Sequence, residues 1–343
     1  MEDKKKYRKK VWLIVGLSIL GLILALLIVG FAFAKNVLGK VGRVDPDETI
    51  SQSEIDDILN ETDPVDPDFT GPVMTEEETD DPEGPDALIE QSDKILNIML
   101  VGQDRRPGQG RQRSDSMILC TINLEKNTLT MTSFMRDLWV KIPDKYNERL
   151  NVPYAVGGFP LLYKTMESQF GVQVDHGVEV DFAGFEQVID AMGGVELTIT
   201  KAEAGQINRA TESNFTAGTY VLNGEQALAY ARIRKIGTEF ARTSRQRTIM
   251  NELFKKVRNL SLSELYALSD KILPLIKTDM TDKEIMDYIF ALSKILPQME
   301  VISQRVPIDG AYQLTMINKK SVIYLNKTNM EKNLEFIKQT IGE

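Results

Sequence analysis

The stretch Ile95–Leu119, ILNIMLVGQDRRPGQGRQRSDSMIL, decides the fold. An apolar run, Ile95–Val101, reaches Gly102 and gives way to a loop with four arginines and two aspartates. A second apolar run, Met117–Cys120, follows. Short apolar runs bounded by turn residues predict buried strands. Asp104 leaves the first strand and Asp115 enters the second, so neighbouring strands would set both carboxylates at one rim of a sheet. In open α/β sheets, ligands bind at the rim formed by the carboxyl ends of the strands. Two carboxylates among arginines can hold a hard cation and clamp a phosphate around it. The same residues also fit a solvated loop with local ion pairs, so the rest of the chain has to decide.

Downstream, strand patterns at Thr128–Phe134, Val174–Val180, Val195–Thr200 and Met299–Val306 alternate with helical ones. A weaker strand pair lies in Tyr312–Ile317 and Ser321–Tyr324. Helices are expected at Leu161–Phe170, Phe182–Met192, Glu225–Arg232, Arg242–Asn259, Leu262–Ile276, Asp282–Leu292 and Met330–Ile341. Phe182, Phe185, Val188, Ile189 and Met192 recur at helical spacing, and Gly193-Gly194 ends that run. The alternation predicts an α/β fold: a single α-β-α layered domain around a central mixed β-sheet.

Upstream the chain changes character twice. Residues 1–10 carry six basic side chains, and residues 11–34 carry no formal charge. A helix over those 24 residues would be about 36 Å long, enough to cross a bilayer. Ala32-Phe33-Ala34 resembles a signal-peptide cleavage site, but the apolar run is too long for one, which favours an uncleaved anchor. The positive-inside rule then makes 1–10 a cytoplasmic tail and puts the rest outside the cell membrane. Residues 44–93 contain 19 Asp or Glu and no Lys or Arg, with Pro64, Pro67, Pro72, Pro82 and Pro85 interrupting any periodicity. That composition predicts a disordered, self-repelling spacer, with at most a short helix within Ser53–Leu59. The division is therefore tail 1–10, transmembrane helix 11–34, acidic extracellular linker 35–93 and folded domain 94–343. The net charge of −9 hides a basic remainder: outside 44–93 there are 41 basic and 31 acidic side chains. A basic domain outside the cell suits anionic ligands. One cysteine, Cys120, excludes an internal disulfide, and one histidine, His176, excludes a multi-histidine metal site.

Three further clusters can carry chemistry. Ser133-Phe134-Met135-Arg136-Asp137 ends a strand and offers either a local salt bridge or a guanidinium and a carboxylate on the Asp104 rim. Gly157-Gly158-Phe159-Pro160 is a turn into a helix, where backbone N–H groups can meet an anion, although many such turns bind nothing. Arg232–Arg247 holds six basic residues and one acidic residue. Arg232 and Arg234 alternate, and Arg242 and Gln246 share a helix face. Arginine outnumbers lysine there, which favours bidentate contact with phosphate oxygens. Nucleic acid is disfavoured by the external topology and the lack of interleaved aromatics.

With those residues in order, the chain resembles the LytR-CpsA-Psr family of cell-wall enzymes. The resemblance rests on Asn97-Ile98 through Gly102-Gln103-Asp104-Arg105, and on Arg113-Ser114-Asp115-Ser116-Met117. It continues through Ser133–Asp137, Arg149-Leu150-Asn151, Val180–Phe185, Leu222–Leu228, Tyr230–Arg234 and Arg242 with Arg245-Gln246, all within 95–258. There are departures. Met135 stands where the family has proline, Arg149 where it has lysine, and Arg247 where it has a second glutamine. The resemblance implies transfer of an anionic glycopolymer, such as teichoic acid or capsule, from a polyprenyl-pyrophosphate carrier to peptidoglycan in a Gram-positive-type envelope. It implies Mg²⁺ on Asp104 and Asp115, and pyrophosphate on Arg113, Arg136, Arg232, Arg234, Arg242 and Gln246. Arg136 and Asp137 would be catalytic, Asp137 activating the incoming muramic acid hydroxyl. An apolar tunnel for the prenyl tail would draw on Leu161, Phe182, Phe185, Val188, Leu228 and Ile249. Hydrolysis in the same pocket and non-catalytic binding of wall polymers are the alternatives.

Overall fold

The computed structural model describes residues 38–45, 48–62, 69–79, 84–105 and 109–341. The basic tail and the apolar span 11–34 lie outside the described residues, and among those described no helix is long and apolar enough to cross a membrane. In chain order the strands are β1 (Gly42–Arg43), β2 (Val73–Met74), β3 (Ile95–Gln103), β4 (Ser114–Asn123), β5 (Thr128–Phe134), β6 (Trp139–Lys141) and β7 (Asn147–Arg149). They continue with β8 (His176–Asp181), β9 (Val195–Ile199), β10 (Gly218–Leu222), β11 (Lys277–Thr278), β12 (Glu300–Val306), β13 (Gln313–Ile317) and β14 (Lys320–Tyr324). The helices are α1 (Gln52–Asn60), α2 (Val152–Phe170), α3 (Phe182–Ala191), α4 (Lys201–Thr211), α5 (Gly224–Ala231), α6 (Glu239–Arg258), α7 (Leu262–Ile272), α8 (Asp282–Ile295) and α9 (Lys327–Ile341).

The central sheet runs β1-β11-β8-β3-β4-β5-β12. It is mixed: β3 pairs with β8 in parallel and with β4 antiparallel, while β5 pairs with β4 antiparallel and with β12 in parallel. Alternation along the strands divides the core. Met99, Val101, Met117 and Leu119 face a cluster completed by Tyr154, Phe159 and Phe170 of α2 and by Met330 and Ile337 of α9. Leu96, Ile118, Cys120 and Ile122 face the other side, against Met250 and Phe254 of α6 and Leu292 and Ile295 of α8. Helices thus cover both faces, as the alternating pattern predicts. A smaller apolar cluster joins α3, α4, α5 and the β9–β10 pair to α6.

This pairing scheme creates one chemical rim. β3, β5, β8 and β12 run the same way and end there, while β4 runs against them and starts there. Asp104, Asp115, Arg136, Asp137 and Asp181 are therefore delivered to one edge by four different pieces of backbone, the ends of β3, β5 and β8 and the start of β4.

Three expectations are revised. The helix expected from Leu161 begins at Val152 and is interrupted at Gly158, whose φ of 61° and ψ of −157° break the helical path. The side chain of Arg111 occupies the space a Cβ at Gly158 would need. Helix α4 and strand β10 fall where the sequence reading places no element, yet Thr200 and Glu203 form a capping box that marks the start of α4. The largest difference concerns the acidic spacer, since its described parts lie on the domain. Ser51 caps α1 with Glu54, β2 pairs with β13, and the Ile89 amide donates to the Gly171 carbonyl at 2.8 Å. Just before it, β1 pairs with β11. Backbone pairing and a few apolar contacts outweigh the self-repulsion on which the spacer reading rests.

The two scarce residues are structural. Cys120 is buried in the core, which pushes its thiol up to about 12. The His176 ring lies 3.0 Å from the Tyr288 hydroxyl and 3.6 Å from Asp279.

Candidate functional site

The site begins with a defect in strand pairing. Gly102 stands opposite Ser116 and Gln103 opposite Ser114, so Asp115 is the extra residue of a β-bulge. Bulges re-aim side chains at sheet rims. Asp115 accepts a hydrogen bond from Arg136 Nη1 at 2.6 Å. Arg136 follows β5, with its Nε 3.4 Å from Asp137 and its Nη2 3.1 Å from Glu239. Glu239, the first residue of α6, also pairs with Arg242 at 2.7 Å. The result is an alternating chain of charges, Asp115–Arg136–Glu239–Arg242. Burial works against the charge of Arg136, but Asp137, Glu239 and Asp115 outweigh it and raise its pKa. Arg242 shifts the other way: burial and then the neighbouring Arg136 lower its pKa, and its Nε finds no hydrogen-bond partner among the described residues. A buried cation pushed down by another cation is a place where an added anion is stabilising.

Arg232 and Arg234 come from the loop after α5. That loop is pinned from behind by Arg245, whose guanidinium bonds Glu203 at 2.9 Å and the carbonyls of Ile233 and Ile236 at 3.1 and 2.9 Å. Arg232 lies over the Phe182 ring at 4.4 Å and 3.6 Å from Asp104. Beside these groups is a cavity of about 240 Å³. Its apolar wall includes Phe182, Phe185 and Val188 of α3, Leu228 of α5 and Ile249 and Leu253 of α6, and its polar lining is Asp115, Ser116, Asp181, Arg232, Arg234, Arg242 and Gln246.

The sequence-derived residues thus converge in large part. Asp115, Arg232, Arg234, Arg242 and Gln246 line one cavity, Arg136 binds Asp115, and Asp137 and Asp104 flank the arginines. Of the expected tunnel residues, Phe182, Phe185, Val188, Leu228 and Ile249 line the cavity and Leu161 does not. Arg113 does not line it either and pairs with Glu61 after α1. Arg105 is committed to an internal pair, 3.0 Å from the buried Glu179. Arg106 lies outside the described residues. Two site residues escape the sequence reading. Asp181 caps α3 by accepting from the Gly184 amide at 2.8 Å while lining the cavity. Its place directly before a helical run is a cap signal. Glu239 carries no motif that marks it as the link between two arginines.

A divalent cation is compatible with this donor set. Among the described residues no three His, Cys, Asp or Glu converge as a closed metal cage. Asp104 and Asp115 instead supply two carboxylates at one rim, the usual protein share for Mg²⁺, which takes its remaining ligands from phosphate and water.

The chain is similar to known proteins in sequence and in fold. The polyisoprenyl-teichoic acid–peptidoglycan teichoic acid transferase TagT of Bacillus subtilis (strain 168) is 33% identical over 178 residues, 50% of this chain and 55% of that protein. The chain thus spans little more than half the length of that relative. TagU of Bacillus mycoides (strain KBAB4), a transferase of the same name, is 31% identical over 230 residues, 65% of this chain and 72% of that protein. The solved structure of TagT bound to LI-WTA superposes with a TM-score of 0.61 at 25% identity, covering 76% of this chain and 97% of that one. The sequence model of the LytR_cpsA_psr family matches residues 66–339, taking in every element that builds the rim and the cavity, and the chain belongs to that family.

Proposed function

We propose that the protein transfers an anionic glycopolymer, with one phosphate, from a polyprenyl-pyrophosphate carrier to a hydroxyl of peptidoglycan. One observation carries this reading: an apolar cavity whose polar lining is three arginines, a glutamine, a serine and two aspartates. A prenyl tail fits the apolar wall and a pyrophosphate fits the arginines, so the two halves of one ligand meet their complements in one cavity.

Arg232, Arg234, Arg242 and Gln246 hold the phosphate oxygens and spread their charge. Asp115 fixes Arg136 so that its guanidinium faces the same group. Asp104 and Asp115 would hold Mg²⁺, which supplies charge neutralisation of the pyrophosphate when bound. The acceptor oxygen attacks the sugar-side phosphorus, the bridging P–O bond breaks, and the lipid leaves as its monophosphate. Asp137, beside Arg136, takes the acceptor's proton. No enzyme nucleophile enters, consistent with a buried Cys120 and a His176 held by Tyr288 and Asp279. The apolar span 11–34 would keep enzyme and carrier in the same membrane, with the domain outside the cell.

The test is to incubate the full chain with a polyprenyl-pyrophosphate-linked glycan, Mg²⁺ and peptidoglycan fragments. Glycan joined to peptidoglycan supports the transferase. Free phosphorylated glycan alone makes the protein a hydrolase, and intact donor refutes both enzyme readings. The cavity wall gives a second check. Val188→Trp should fill space needed by the tail and raise KM for a long-chain donor about tenfold, roughly 1.4 kcal/mol of binding. A donor with a short prenyl chain should be affected much less. Equal effects on both donors would remove the tail from this cavity.

A further inference from the structure

Helix α8 carries an apolar face that the domain does not cover. Met286, Ile289 and Phe290 are 40%, 49% and 65% exposed, at the i, i+3, i+4 spacing of one helix face. Such a patch on an otherwise well-packed domain marks an interaction surface. Its location in the chain identifies what covers it. Leu38 and Val41 are buried against Met280 and Ile285, where α8 begins. The Gly42 amide donates to the Ile276 carbonyl at 3.2 Å, and β1 pairs with β11 immediately before α8. The apolar stretch 11–34 therefore ends four residues before a side chain fixed to this part of the domain. Four extended residues span at most about 14 Å. If 11–34 crosses the membrane, as the proposed function has it, the root of α8 is held that close to the bilayer surface.

Most of the aspartates nearby are paired with a cation. Asp270 of α7 is paired with Lys40, Asp282 with Arg43 and Asp287 with Lys283. Glu264 and Glu284 are each engaged in a capping box. The Lys294 ammonium lies over the Phe290 ring, 4.2 Å from its centroid, and sets a cation at the edge of the apolar face. The same region reaches the donor cavity, since Ile272 and Ile276 both belong to its lining.

We propose that the Met286–Ile289–Phe290 face of α8 docks on the lipid bilayer, turning the Ile272–Ile276 wall of the cavity toward the membrane that holds the carrier lipid. The face sinks into the headgroup–acyl boundary by about 5–10 Å, as interfacial helices do. The domain then receives the prenyl tail from the side facing the membrane, without lifting the whole lipid into water.

The test uses the full chain reconstituted in phosphatidylcholine–phosphatidylglycerol vesicles containing a spin-labelled quencher lipid. Ile289→Cys and Phe290→Cys are labelled with an environment-sensitive fluorophore, with Leu314→Cys on β13 as an exposed control. Cys120 is buried and stays unlabelled. The expected result is several-fold stronger lipid quenching at 289 and 290 than at 314, in chains that float with the vesicles. Flotation with equal or absent quenching at all three positions overturns the docking face and leaves the anchor reading intact. Quenching replaced by disulfide cross-linking between Ile289→Cys chains overturns it in favour of a second copy. Chains that fail to float remove the anchor reading and the docking face with it.

Discussion

Asp115→Asn is expected to reduce glycopolymer transfer by about 10²–10³-fold, the cost of removing one charged group from a preorganised phosphoryl-transfer site. Asparagine keeps the size of the side chain and an oxygen that accepts from Arg136, so the bulge and the local packing persist. What is lost is a negative charge at the position assigned to the cation. Two measurements separate this from misfolding. The thermal midpoint should stay within a few degrees of the parent protein, because Arg136 keeps Asp137 and Glu239 as charged partners when asparagine replaces the carboxylate. The Mg²⁺ concentration needed for half-maximal rate should rise. Unchanged turnover would refute the assignment of Asp115, and a collapse of the thermal midpoint would show it to be a folding residue.

Arg242→Ala should cost about 10²–10³-fold in kcat/KM by the same reasoning. Arg242 is buried, lines the cavity, and is held by a single carboxylate that it shares with Arg136. Its removal leaves Glu239 paired with Arg136, so no buried carboxylate is stranded and the fold should survive. Arg242→Lys is the informative companion. It restores the charge but not the planar fork, and a partial rescue is expected if two phosphate oxygens are gripped at once. Full rescue by lysine would reduce the role of Arg242 to simple charge. Wild-type activity in Arg242→Ala would exclude Arg242 from the donor site.

Much of this site was legible in the residues themselves. Alternating apolar positions in Ile95–Gln103 and Ser114–Asn123 determine which side chains face each layer, so placing Asp104 and Asp115 at one rim needs only two adjacent strands. The arginine cluster was legible because six basic residues and one acidic one fall within Arg232–Arg247 and arginine outnumbers lysine there, a bias that favours phosphate contact. The rest depended on contacts distant in sequence. Nothing local to Glu239 says that it will link Arg136 to Arg242, 103 residues away from the former. Arg113 has the same composition and setting as its neighbours, and only the return of α1 onto the domain brings Glu61 to it. The acidic spacer misled for a related reason. Composition reports mean repulsion, whereas its described parts are fixed by specific pairing, Val73 and Met74 with Met316 and Ile317 and the Pro72 carbonyl with Thr315.

The central claim is that a glycan-bearing phosphate moves intact from lipid to wall. It is tested most directly by a donor labelled separately at each phosphorus of its pyrophosphate, given to the full chain with Mg²⁺ and peptidoglycan fragments. The mechanism predicts that label at the sugar-side phosphorus ends on peptidoglycan, while label at the lipid-side phosphorus stays in the prenyl monophosphate. Sugar-side label released as free phosphorylated glycan, or lipid-side label appearing on peptidoglycan, would contradict it.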